Sequence, residues 1–162
     1  MLLTPLFLEA GAALYDCQGF EFGIGLLLFH LARLGARGLN AYRLRAILDN
    51  DEKKTAGQLA SMLKSHLDVS EGIREALEDA LAARNRLIHR ILIDNSERML
   101  DATERQRVIA EIRDLRRRVQ RADKMVRPFI EGLSAAIDGV DFEALRSEAK
   151  DLLLRDPDGS SS

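Results

Sequence analysis

Apolar residues recur at three- to four-residue intervals along much of the chain, the spacing of helices with one buried side. Thr4-Pro5 reads as an N-cap followed by proline at the first helical position, which predicts a helix from about residue 5. Its inner side would use Leu6, Ala10, Ala13 and Leu14. Gly19 is expected to interrupt it, so that a second helix carries Phe22, Leu26 and Phe29 on one side and Leu27 and Leu34 on another until the turn at Gly35 to Gly38. These two would form a hairpin.

A short helix is expected around Ala41 to Leu48, followed by the polar turn DNDEKK. Thr55-Ala56-Gly57-Gln58 has the pattern of a capping box and opens another short helix through Leu63. From Ser70 to about Asp94 runs an amphipathic helix, and Asp101-Ala102-Thr103-Glu104 is a second capping box, opening the longest one. That helix keeps Ile109, Ile112, Leu115, Val119, Ala122, Val126, Phe129 and Leu133 at bundle spacing. Pro128 should kink it and Gly139 should end it. Asp141 would cap a last helix through Leu154. The pattern predicts an all-α fold, an antiparallel four- to five-helix bundle occupying 1–155 as one domain, with DPDGSSS (156–162) as a disordered tail.

Composition agrees. Hydrophobic residues make up 46% and charged residues 31% of 162, enough for one ordinary core, while aromatics are only 5%. The single cysteine, Cys17, forms no internal disulfide, and the three histidines have no metal-ligand spacing, so neither a metal nor a cofactor is expected. MLLTPLFLEA lacks a basic leader, and the most apolar run, GFEFGIGLLLFHLARLG, is broken by Glu21, His30 and Arg33. No membrane span and a cytoplasmic location are the expectations. Gly23 and Gly25 within that run suit close helix packing, His30 a core edge, and His66 the carbonyls of a helix end.

Charge changes the picture. Residues 1–83 carry 8 basic and 11 acidic side chains, 84–130 carry 13 and 7, and 131–162 carry 3 and 8. The basic middle begins at ARNRLIHRIL, Ala83 to Leu92. At about 100° per residue, Ile73, Leu77, Ala80, Leu81, Leu87, Ile88 and Ile91 share one apolar arc, and Arg84 falls inside it. A guanidinium does not shed its charge, so an inward one needs carboxylate, phosphate or carbonyl partners; Asp16 and Glu21 are candidates for an ion pair. Asn85 and His89 share the edge of the arc. Ala82 and Ile93 extend the weakly charged surface beyond them, which leaves room for a covering helix or a second subunit, while Arg86 and Arg90 project away.

The string Arg84-Asn85-Arg86-Leu87-Ile88-His89 resembles the signature of the HEPN superfamily, in which arginine and histidine are separated by four to six residues and asparagine often follows the arginine. The resemblance implies a small helical bundle that dimerises, and in many members a metal-independent endoribonuclease of a toxin or defence system. It would make Arg84 and His89 catalytic and Asn85 supporting. An imidazole suits proton transfer near neutrality, and a guanidinium suits the extra charge of a phosphoryl transition state. Where toxin members paired with a nucleotidyltransferase antitoxin carry a tyrosine two residues after the histidine, Ile91 stands here.

The expected partners are a second copy of the chain, RNA, and an antitoxin or neighbouring protein. Arg86, Arg90, Arg113, Arg116, Arg117 and Arg121 would guide RNA, although arginines on long helices are commonly paired with carboxylates on a solvated face. The alternative is a non-catalytic helical scaffold or nucleotide- or RNA-binding adaptor in which the Arg-Asn-His cluster is structural. A third reading is a coiled-coil-like regulatory partner, based on the helix 102–138.

Overall fold

The computed structural model describes residues 3–49, 55–66, 68 and 70–154, so the tail 156–162 and most of the DNDEKK turn lie outside the described residues. The protein is all-α. Its helices are α1 (Thr4–Arg33), α2 (Ala41–Leu48), α3 (Ala56–His66), α4 (Glu71–His89), α5 (Ile91–Asp94), α6 (Ala102–Asp138) and α7 (Phe142–Leu154), with a 3-10 turn at Arg98–Leu100.

The expected N-terminal hairpin is instead one helix. Gly19 does not interrupt α1, because the buried row Ala13, Cys17, Phe20, Ile24, Leu27 and Leu28 continues across it at helical spacing. A helical glycine costs about 1 kcal/mol, whereas each large apolar side chain taken from water gains about 1.5–3 kcal/mol. Thr4 is itself the first helical residue and Leu3 the N-cap, with no side-chain cap, so the expected capping by Thr4 is also corrected. Leu14 and Phe22, assigned to inner faces from the sequence, are exposed. The helix ends where Ala36 N–H donates to Leu31 C=O and Gly35 adopts φ +86°, a conformation that glycine takes without a Cβ clash.

Both capping boxes open helices. Gln58 N–H donates to Thr55 Oγ1 at 3.2 Å while Thr55 N–H donates to Gln58 Oε1 at 2.9 Å, and α3 runs on to His66, past the expected end at Leu63. Asp101 Oδ1 accepts from Glu104 N–H at 2.8 Å to start α6. Gly139, at φ +66°, ends that helix, and α6 remains continuous through Pro128. Along α6 the buried row is Val108, Ile109, Ile112, Leu115, Val119, Ala122, Val126, Ile130 and Ser134, so that Ile130 rather than the half-exposed Phe129 continues the stripe.

Directions follow from cross-helix pairs. Arg113 with Glu9, Gln120 with Asp16 and Ser134 with His30 are each separated by 104 residues, so α1 and α6 run parallel. In α4, Asp79 meets Arg118 and Arg86 meets Glu111, a falling register that makes α4 antiparallel to α6. The core lies where α1, α4 and α6 meet, closed by Leu44 of α2 and by Leu59 and Leu63 of α3. His66 fastens the end of α3, its ring nitrogens lying 2.7 Å from Met62 C=O and 2.8 Å from Arg37 C=O. Among the described residues no helix is long and apolar enough to cross a membrane.

Candidate functional site

The helix expected from Ser70 to Asp94 breaks at Arg90, whose φ of −129° leaves the helical region, so α4 ends at His89 and α5 begins at Ile91. The break keeps Ile91 buried, and Ala76, Leu77, Ala80 and Ala83 form the buried side of α4. Small alanines let α4 approach its neighbours closely. Arg84 falls next to this buried side, with its side chain 15% exposed.

Its charge is met by Glu21 of α1, whose carboxylate accepts from Arg84 Nε. Of the two carboxylates weighed from the sequence, Glu21 is therefore the partner, and Asp16 instead accepts from Arg116 and Gln120 of α6. With Nε held, the far end of the guanidinium turns to its own helix. Arg84 Nη1 lies 3.1 Å from Asn85 Oδ1 and 3.3 Å from His89 Nε2. A guanidinium only donates, so the His89 nitrogen facing it is the accepting one, and the proton of the neutral ring sits on Nδ1. No hydrogen bond uses Nη2 among the described residues.

These three side chains open on one pocket of about 580 Å³, walled by Arg84, Asn85, Arg86 and His89 on α4, by Arg90 at the break that follows it, and by Thr55 and Gly57 at the start of α3. The first-turn amides of a helix lack intrahelical acceptors and carry the positive end of its dipole, so the α3 end and the arginines act in the same electrostatic sense. Asn85 and His89 are exposed rather than sealed within the bundle.

The remaining basic candidates divide. Arg86 donates to Glu111 at 2.7 Å and Arg90 lies 3.4 Å from Asp94, and both stay at the pocket wall. Arg113 donates to Glu9 at 2.7 Å, Arg116 pairs with Asp16, and Arg117 pairs with Asp114 at 3.1 Å, all along α6 and away from the pocket. Arg121 is exposed and has no ion pair among the described residues. Thr55 and Gly57 had no signal in the sequence to join them to α4, since the contact between the two helices is tertiary.

Cys17 lies near this cluster but is buried, and burial together with Glu21 pushes its thiol up to about 11 against the opposing influence of Arg84. A thiol so placed stays protonated and is no nucleophile near neutrality. Among the described residues, no three His, Cys, Asp or Glu side chains group as metal ligands. No protein-family model matches the chain, and neither curated proteins nor solved structures yield a match.

Proposed function

We propose that the pocket at the end of α4 binds an RNA phosphodiester and cleaves it without a metal, in the manner of a HEPN-like ribonuclease. The observation that supports this best is the convergence of Arg84, Asn85 and His89 on one solvent-open pocket, with Arg84 anchored from behind by Glu21. A phosphate entering it exchanges for His89 as the acceptor of Arg84 Nη1, which frees His89 Nε2. That nitrogen takes the proton of the 2′-hydroxyl as its oxygen attacks phosphorus, and Arg84 donates to the non-bridging oxygens as they gain charge. The bond to the 5′-oxygen breaks, its proton coming from water or from a second imidazole in a twofold pair. The products are a 2′,3′-cyclic phosphate and a 5′-hydroxyl.

Single-stranded RNA incubated with the purified protein in EDTA tests this. Cleavage that His89→Ala abolishes without lowering thermal stability supports the assignment, and cleavage retained by that variant rejects it. The Glu21 pair favours a second reading, in which the cluster only pins α4 to α1 and the protein is a scaffold or adaptor. In that case no RNA is cut, and Arg84 matters for folding alone.

A further inference from the structure

The last helix, α7, has an apolar side without a cover. Phe142, Leu145 and Ala149 share one arc of it at about 100° per residue, yet Leu145 is 50% exposed and Ala149 lies open to solvent. A helix of 13 residues is near the length at which an isolated helix is marginal in water, so α7 gains from packing on something. Its root is fixed. Arg33 of α1 holds Asp138 through two nitrogens, each at 2.8 Å, Gly139 turns the chain at φ +66°, and Asp141 caps α7. One ion pair sets its direction. Arg146 Nη1 donates to both carboxylate oxygens of Glu131 at 3.0 and 3.1 Å, 15 residues away with the turn near the midpoint, so α7 doubles back along α6.

We infer that α7 is a strap, hinged at Gly139, whose seat is the groove between α1 and α6 of the same chain. Glu131 shares its angle on α6 with Arg113, which meets Glu9 of α1, so the tethering pair lies on the flank that adjoins α1. With Arg146 kept on Glu131 and α7 antiparallel to α6, the right-handed sense of the helix turns the Phe142, Leu145 and Ala149 arc toward α1. Opposite it on α1 lie Gly19, Phe22, Gly23 and Leu26. Gly23 adjoins Ile130 and Asp123 of α6, Phe22 is 54% exposed, and a Cβ built on Gly19 meets nothing within 4 Å. The two glycines, four apart, make a floor low enough for another helix, a use for Gly19 that its present neighbours do not supply. Reach agrees, since 13 residues cover about 20 Å, the span from Arg33 back to Gly19. The tether selects the occupant: so short a connection gives α7 an effective concentration on the order of millimolar, which a separate chain does not match. Glu21, which holds Arg84, points about 160° away from Gly19, so the seat and the α4 pocket use different sides of α1.

Hydrogen exchange and crosslinking on the full chain test this, and neither involves RNA, so the strap and the ribonuclease reading can fail separately. Amides of residues 144–151 should exchange at least tenfold more slowly in the wild type than in Leu145→Asp, an exposed position whose change leaves the bundle folded. In Leu26→Cys/Ala149→Cys, a short bifunctional maleimide should join the two introduced thiols within one chain, the native Cys17 being buried. Leu26→Cys/Ser147→Cys, with the second thiol on the side of α7 turned from α1, should not link. Equal exchange in the wild type and Leu145→Asp overturns the inference. So does the absence of a link at Ala149→Cys, a link that joins two chains, or one that Ser147→Cys forms as readily.

Discussion

Arg84 Nη1 faces His89 Nε2 at 3.3 Å while the same guanidinium is gripped at Nε by Glu21 from another helix. Planarity makes this arrangement specific to arginine, because the fork holds one edge on the carboxylate and aims the other at the pocket. A lysine is a single point charge and cannot do both. If the pocket cleaves RNA as proposed, Arg84→Lys should therefore lower the rate by about 10²–10³, the range for losing one transition-state donor. Single-turnover rates in EDTA check this, and a lysine variant with wild-type rates would show that the fork geometry is irrelevant.

Removing Arg84 also strands Glu21, which is only 24% exposed. Arg84→Ala should cost about 1–3 kcal/mol in urea unfolding, the usual penalty for a buried group left without its partner. Much of that loss should return in Glu21→Gln/Arg84→Ala, since the uncompensated charge is then gone. A double-mutant cycle measures the coupling, and additive single effects would mean that the pair contributes nothing to the α1 and α4 contact.

His30 supplies the pH dependence. It is buried, with Nε2 2.7 Å from Ser134 Oγ and Nδ1 without a partner among the described residues. Burial lowers its pKa below the ordinary 6.5, Asp138 opposing and Arg33 assisting. Below 6.5 the unfolded chain takes up a proton that the folded chain refuses, so stability is full above that value, falls as the pH drops beneath it, and levels off past the folded value. The thermal midpoint should fall between about pH 7.5 and about pH 5, and His30→Gln should flatten the slope. Equal slopes in the two proteins would assign the effect elsewhere. The lowered pKa values of Asp138 and Glu104 act in the same direction, but below their ordinary 3.8 and 4.5.

How much of this was legible in the sequence depended on whether the cause was local. The Thr55 and Asp101 caps and the Gly139 stop involve residues within a turn of one another, and each stands where the pattern put it. The inward position of Arg84 was legible from periodicity, and Glu21 was one of its two nominated partners. Gly19 misled because its local cost is outweighed by a buried row that only tertiary packing completes. The end of α4 at His89 carries no Gly or Pro signal, and the periodicity runs straight on through Ile91. Leu14 and Phe22 misled for the opposite reason: an apolar residue announces that it avoids water, not which neighbour covers it.

The parallel register of α1 and α6 sets the order in which the molecule can be completed. Pairs such as His30 and Ser134 lie 104 residues apart, so the side of α1 that packs on α6 stays uncovered until the residues between them have been synthesised. Helical proteins generally fold fast because their contacts are local, and this one forgoes part of that advantage. A ribosome-bound chain ending before α6 exposes the part of α1 that α6 covers, a stage at which uncovered apolar surface favours aggregation or chaperone binding.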